Sequence, residues 1–227
     1  MARTAHEPGK TFDRAASGWA GDAAWSSVPA GPPKVTTLEA FLVSTGVVAL
    51  GEMGDKTQLL AMLLAVKFRR PLPIVLGILI ATLFNHATAG LVGAWVAKAL
   101  GAELLRWVIG VSFIGMAAWM LVPDKIDGDE ASGPQRFGVF GTTLIAFFLA
   151  EMGDKTQIAT VALAARYQDL VAVVAGTTLG MLIADVPAVF AGEAIAKRVP
   201  MKLVHRIAAG IFVVLGVLTL AKPDRLF

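Results

Sequence analysis

Six long apolar stretches dominate this sequence, and they occur as two sets of three. They run roughly over Leu38–Val66, Leu72–Ala97, Leu104–Val122, Phe137–Ala165, Leu170–Ala196 and Leu203–Ala221. A helix needs about 20 apolar residues to cross a bilayer, so every stretch is long enough to span a membrane. Only 16% of the residues are charged, against about a quarter in soluble domains. The sequence therefore predicts an integral membrane protein.

The second set of three stretches is a copy of the first. Residues match at an offset of 99, as Glu52 matches Glu151 and Gly77 matches Gly176, and after a one-residue slip the match continues. Because three crossings leave the chain on the opposite face of the membrane, the second copy is expected to insert upside down. Such inverted repeats recur among secondary transporters. We therefore predict an all-α membrane protein with six transmembrane helices, arranged as two inverted-topology three-helix repeats.

The boundaries of these repeats divide the chain into five parts. Residues 1–36 are predicted to form a polar, disordered N-terminal tail, and residues 124–136 an acidic, solvated linker loop. The first repeat covers residues 37–123, the second covers residues 137–222, and residues 223–227 form a C-terminal tail.

Basic residues near the ends of the stretches predict the orientation in the membrane. Nine lie on the side of the central loop: Lys67, Arg69, Arg70, Lys125, Arg136, Lys197, Arg198, Lys202 and Arg206. Six lie on the other side: Lys34, Lys98, Arg106, Arg166, Lys222 and Arg225. Since cytoplasmic loops carry an excess of Lys and Arg, the central acidic loop is predicted to be cytoplasmic and both termini to lie outside. The formal net charge of +3 is small, and it predicts no nucleic-acid surface.

One seven-residue motif, Glu-Met-Gly-Asp-Lys-Thr-Gln, occupies residues 52–58 and again residues 151–157. Each copy falls in the middle of the first apolar stretch of its repeat, where ionisable residues are costly and usually functional. Glu52 and Asp55 are three residues apart, which in a continuous helix places both carboxylates on one face. Gly46, Gly51 and Gly54 would permit a local break of the first helix. The second copy keeps only Gly153, so a less pronounced break is expected there.

The carboxylates of both copies are predicted to form one metal site at the repeat interface, from Glu52, Asp55, Glu151 and Asp154. Hard divalent cations prefer such oxygen ligands. The supporting side chains would be those of Lys56, Thr57, Gln58, Lys155, Thr156 and Gln157. Four carboxylates and two lysines sum to −2, which one divalent cation or two protons would neutralise, as an exchanger requires.

Two further polar residues lie inside the predicted spans at equivalent positions of the repeats. Asp185 precedes Pro187 in the fifth stretch, and its counterpart at an offset of 99 is His86. A membrane-embedded aspartate can act as a proton relay or as an extra ligand, and we predict the proton relay for Asp185. For His86 we expect a local hydrogen bond rather than metal binding.

The doubled motif resembles the pattern Glu-x-Gly-Asp-(Lys/Arg)-(Thr/Ser) of uncharacterised protein family 0016, the Gdt1-like divalent cation/proton exchangers, which include bacterial manganese exporters. The resemblance covers residues 38–221 and both motif copies match in full. It implies a six-helix secondary transporter, not an enzyme, that exports Mn²⁺ or alternatively Ca²⁺ in exchange for protons. The family's acidic positions carry over onto Glu52, Asp55, Glu151 and Asp154. The partners implied are cations, protons and the lipid bilayer of a bacterial inner (plasma) membrane, with no resident cofactor.

Three other interpretations stay open from the sequence. The motif carboxylates could pair with the lysines as a purely structural feature. An intramembrane aspartyl protease would also place two aspartates on facing helices, but Gly51 and Gly54 are one residue too far apart for its Gly-x-Gly-Asp signature. An exporter of another small solute, such as an amino acid, on a related inverted-repeat scaffold is the strongest rival, because a fold does not fix its substrate.

Overall fold

The computed structural model describes residues 36–122, 137–191 and 201–221, and it shows eight helices and no strand within them. In chain order they are α1 Thr37–Glu52, α2 Lys56–Phe68, α3 Pro71–Ala99, α4 Ala102–Met120, α5 Gly138–Glu151, α6 Lys155–Tyr167, α7 Leu170–Ala191 and α8 Met201–Ala221. The all-helical prediction is confirmed. The predicted 124–136 loop, the 223–227 tail and nearly all of the 1–36 tail lie outside the described residues.

Local sequence signals explain where several helices begin. The Thr36 hydroxyl accepts a hydrogen bond from the Glu39 amide at 3.1 Å, which caps the start of α1. Pro71 opens α3, where its missing N–H leaves no bond unmade. The two short helices after the motifs, α2 and α6, both end on a left-handed residue, Arg69 (φ 53°) and Gln168 (φ 52°).

The membrane-spanning elements differ in part from the six uninterrupted stretches read from the sequence. Four helices are long and apolar enough to cross a bilayer, namely α3, α4, α7 and α8. The predicted first span is broken into α1 and α2, which meet at a bend of 70° and together form a fifth candidate span. The fourth stretch is likewise divided into α5, a shorter apolar helix, and α6.

Large apolar side chains cover much of the outside of these helices. Trp95 of α3 and Val171 of α7 are examples, and Phe84, Leu104 and Val214 are also exposed. In water such a surface would be unfavourable, whereas hydrocarbon is a suitable solvent for it. The buried polar groups lie instead between the helices. This distribution is that of an integral membrane protein.

Glycines bring equivalent helices of the two repeats into close contact. A Cβ on Gly176 of α7 would lie 2.5 Å from the Phe41 carbonyl oxygen of α1. At the equivalent position, a Cβ on Gly77 of α3 would lie 3.0 Å from the Phe140 carbonyl oxygen of α5. Phe41 and Phe140 are themselves 99 residues apart. The packing of α1 on α7 is therefore repeated in the packing of α5 on α3.

The same contacts give the relative directions of these helices. Gly176 faces Phe41, and Gly180, one turn later, faces Thr45, so α1 and α7 run in parallel. The third helices of the repeats, α4 and α8, run in opposite directions. Gly110 of α4 faces Leu220 of α8, while Phe113, later in α4, lies 5.9 Å from Phe212, earlier in α8 (ring centroids).

Candidate metal centre

The first motif copy forms the break between α1 and α2. Glu52 is the last residue of α1, Met53 is extended (φ −62°, ψ 113°), Gly54 has a left-handed φ of 84°, and Asp55 caps the start of α2. The Asp55 carboxylate accepts a hydrogen bond from the Lys56 amide at 2.8 Å. Since Glu52 and Asp55 lie on either side of the break, the prediction that they share one face of a continuous helix is wrong.

The second copy forms the same break between α5 and α6. Met152 has φ −66° and ψ 113°, and Gly153 has a left-handed φ of 81°. Asp154, like Asp55, has a ψ of 170° at the cap position. The expectation of a less pronounced second break is therefore wrong at the level of the backbone. One glycine per motif suffices, because only that residue must adopt the left-handed conformation.

Two hydrogen bonds recur inside the two motifs. The threonine hydroxyl donates to the glutamate, from Thr57 to Glu52 at 2.7 Å and from Thr156 to Glu151 at 3.0 Å. The glutamine carbonyl oxygen accepts from the glycine amide, at 3.0 Å in the first copy and 2.7 Å in the second. The last two residues of the motif thus hold its glutamate and its glycine in place. This is a physical reason why the whole motif, and not the carboxylates alone, is duplicated.

Three motif carboxylates converge between the two breaks. Single oxygen atoms of Glu52, Glu151 and Asp154 all lie within 4.8 Å of one another, and all three residues are buried. Asp55 is buried as well but does not belong to this group; it still lies near enough to Glu151 to interact with it electrostatically. The structure therefore brings three of the four predicted ligands together and leaves the fourth at the edge.

The converging glutamates have acceptor capacity that the described residues do not use. The Oε2 atoms of Glu52 and Glu151 accept the threonine bonds, whereas their Oε1 atoms are buried without a hydrogen-bond partner in the described part of the chain. Buried polar atoms are normally satisfied, so such orphan oxygens call for a ligand that the described residues do not supply. A cation or protons would serve.

The supporting side chains differ in burial between the copies. Lys155 is only 2% exposed, while Lys56 is half-buried. Gln58 is buried and donates from Nε2 to the Ala184 carbonyl oxygen at 2.9 Å, which ties the first motif to α7. Gln157 is half-buried. The six supporting residues thus lie at the breaks, but in unequal surroundings.

Asp185 lies beside the carboxylate group. It is fully buried, and it is close enough to both Glu52 and Glu151 for electrostatic interaction. Neither of its oxygens has a hydrogen-bond partner among the described residues. Its repeat counterpart, His86, is equally buried, and neither ring nitrogen has a hydrogen-bond partner among them. The expected local hydrogen bond of His86 is therefore absent from the described structure.

A further contact at the first break is absent from the sequence prediction. His205 of α8 lies with Nε2 2.8 Å from the Met53 carbonyl oxygen, a group freed by the end of α1. The residue at the equivalent position of α4 is Leu105, after the one-residue slip. Since the repeat lacks this histidine, a search for duplicated polar residues could not find it. The available signal was a histidine in the first turns of an apolar helix.

Comparison with known proteins relates this sequence to one family. The sequence model of the family described as "Divalent cation/proton antiporter GDT1" matches residues 40–128 and 139–225. The chain is 47% identical over 188 residues to a "Putative manganese exporter" of Vibrio cholerae, covering 82% of this chain and 93% of the relative. It is 31% identical to a GDT1-like protein of Synechocystis, covering 80% and 97% of the two chains. No solved structure matches it.

Proposed function

We propose that this chain, which belongs to the GDT1 family of divalent cation/proton antiporters, exports Mn²⁺ in exchange for protons, with Ca²⁺ as a second candidate substrate. The observation that carries the proposal is the group of three buried carboxylates at the meeting point of two helix breaks. Oxygen-only sites of this kind suit hard divalent cations. The relative from Vibrio cholerae, described as a "Putative manganese exporter", favours Mn²⁺ as the substrate.

The architecture proposed is two inverted three-helix repeats with six membrane crossings. The antiparallel arrangement of α4 and α8 supports the inversion, as does the exchange of partners between α1 on α7 and α5 on α3. In this arrangement α1–α2 and α5–α6 each form one broken span. Broken helices at a repeat interface are a recurring way to expose backbone and side-chain oxygens to a transported ion.

The proposed site consists of Glu52, Asp55, Glu151 and Asp154. Glu52, Glu151 and Asp154 would hold the cation in the described conformation, and Asp55 would join as the breaks move during transport. The side chains that would orient the carboxylates and limit their net charge are Lys56, Thr57, Gln58, Lys155, Thr156 and Gln157. Clustered carboxylates in a low-dielectric site resist being ionised together, so departure of the cation favours uptake of protons.

Asp185 is proposed to carry a proton between the site and its surroundings. Its position near both glutamates supports this role, as does the absence of a hydrogen-bond partner within the described residues. For the membrane we propose the bacterial inner membrane, with the central loop in the cytoplasm and the termini outside. Cation would then enter from the cytoplasm and leave on the far side as protons replace it.

Transport by the purified protein in vesicles tests the proposal. A Mn²⁺-sensitive dye outside and a pH-sensitive dye inside would record the two fluxes at once, and Mn²⁺ leaving the vesicles is expected to drive proton entry. Thr88→Val is a control for substitution of a threonine outside the motif, and it should transport like the wild type. The Thr88 hydroxyl of α3 donates within its own helix, to the Asn85 carbonyl. Mn²⁺ flux without opposite proton movement would reduce the protein to a uniporter. Absence of any cation flux would favour the rival exporter of another small solute.

A further inference from the structure

The two halves of the site differ chemically at one pair of equivalent positions. Asp185 of α7 and His86 of α3 are 99 residues apart, and both are completely buried. Within the described residues, the other buried ionisable side chains belong to the duplicated motif, apart from Tyr167. Asp185 and His86 thus give one half an extra carboxylate and the other half an imidazole.

His86 lies on α3 at the position equivalent to that of Asp185 on α7, and neither residue belongs to the group of three carboxylates whose oxygen atoms lie within 4.8 Å of one another. α7 packs on α1 through Gly176, and α3 packs on α5 through the equivalent Gly77. At the other end of the second contact, the Asn85 side chain donates to the Phe148 carbonyl oxygen at 3.2 Å. Phe148 lies one helical turn before Glu151, so His86 is level with the carboxylate end of α5.

The imidazole of His86 has no partner among the described residues to account for its burial. Both nitrogens lack a hydrogen bond there, and a buried polar group without one costs free energy. A neutral imidazole is also a metal ligand, through whichever nitrogen is not protonated. Ca²⁺ takes oxygen ligands, whereas imidazole nitrogen suits transition metals. A nitrogen ligand in an otherwise all-oxygen site therefore favours a transition-metal ion over Ca²⁺.

We propose that His86 is the selectivity residue of the cation site. Like Asp55, it lies outside the group of three carboxylates in the described conformation, and it contributes one imidazole nitrogen when the cation is bound, which makes the site prefer Mn²⁺ to Ca²⁺. This inference rests on the proposed function and adds to it the residue that sets the substrate preference. It goes beyond the duplicated motif, whose two copies supply only oxygen ligands.

Electron paramagnetic resonance of Mn²⁺ bound to the full-length purified protein tests the contact directly. Coupling of the Mn²⁺ electron spin to an imidazole ¹⁴N nucleus is expected in the wild type and should disappear in His86→Leu. It should persist in His205→Gln, the control for the other histidine among the described residues. A wild type that binds Mn²⁺ without nitrogen coupling, or a His86→Leu protein that keeps the coupling, would overturn the inference while leaving the proposed transporter intact. A wild type that binds no Mn²⁺ would instead overturn the proposed function.

Calorimetric titration with Mn²⁺ and Ca²⁺ separates selectivity from a structural role. His86→Leu is expected to weaken Mn²⁺ binding by at least about 10-fold, the smallest loss typical even of outer-shell changes, and to leave Ca²⁺ binding nearly unchanged. His86→Gln repeats the test in case the leucine variant does not fold. If Mn²⁺ and Ca²⁺ binding fall together, or if neither changes, His86 does not determine selectivity.

Discussion

The two helix breaks have the same backbone but different neighbours. Their extended methionines and left-handed glycines agree within a few degrees. Around the first break, His205 bonds the Met53 carbonyl and Gln58 bonds α7. Around the second, Met152 is 54% exposed and a Cβ on Gly153 would meet no described atom within 4 Å. The seven-residue motif thus determines the backbone of each break, while its neighbours in other helices determine how firmly that break is held.

This difference suggests that the two equivalent helix breaks have different roles. If the proposed function holds, we expect the anchored first break to supply a fixed part of the site and the more open second break to move. Transport needs both properties, because a cation must be held firmly and then released on the other side of the membrane. The following changes test how far the equivalence extends, in order of decreasing expected effect.

Loss of either glutamate is expected to abolish transport equally. Glu52→Gln and Glu151→Gln each remove a negative charge and one buried, unpartnered oxygen from the described site. Mn²⁺ flux in vesicles should fall by more than about 100-fold, beyond the loss typical of outer-shell changes. Glu39→Gln at the exposed start of α1 is the matched control and should transport normally. Normal flux in either site variant would remove that glutamate from the site.

Removal of the threonine hydroxyls tests the hydrogen bonds that hold the two motif glutamates. Thr57→Val and Thr156→Val keep side-chain shape but delete the hydrogen bonds to Glu52 and Glu151. Hydrogen bonds to charged groups contribute about 1.5–3 kcal/mol, so Mn²⁺ affinity measured by calorimetry should fall roughly 10-fold or more in each. A loss confined to one variant would show that the two half-sites contribute unequally.

Alanine at the motif glycines tests the backbone equivalence. Gly54 and Gly153 both have φ above 80°, and an L-residue in the left-handed region costs about 1–2 kcal/mol. Gly54→Ala and Gly153→Ala should lower thermal stability by similar amounts. Gly46→Ala lies inside α1, where an added Cβ would meet no described atom within 4 Å, and it should instead stabilise by about 0.5–1 kcal/mol. Equal effects at all three positions would contradict the assigned role of the left-handed backbone.

The smallest expected effect tests the anchor on the first break. His205→Leu removes the contact with the Met53 carbonyl, a hydrogen bond of about 0.5–1.5 kcal/mol. Amide hydrogen exchange should accelerate around Met53 and stay unchanged around Met152. Equal acceleration at both breaks would mean that His205 supports the whole bundle rather than one half.

Much of this organisation could be predicted from the sequence because the chain contains an internal repeat. The duplicated motif identified the helices that meet at the site, and the carboxylates Glu52, Glu151 and Asp154 do converge. The glycines showed where the first helix could break, but not that it does break, because an apolar stretch of 29 residues reads the same whether it is straight or bent. Glycine content also misled, since Gly153 alone produces the second break.

What repetition could not reveal is where the two halves differ. His205 has a leucine at its equivalent position, and the exposure of Met152 depends on neighbours from other helices. Such features arise from tertiary packing: the histidine can be seen in the sequence, but the group that it contacts cannot. The position of Asp55 outside the group of three carboxylates is of the same kind.

The proposed mechanism depends above all on the two motifs forming one composite site rather than two separate ones. Calorimetric titration of the purified protein with Mn²⁺ measures this directly through its stoichiometry. One Mn²⁺ per chain is expected, and Glu52→Gln and Glu151→Gln should each eliminate that single binding event. Two Mn²⁺ per chain, with one retained in each variant, would contradict the composite site.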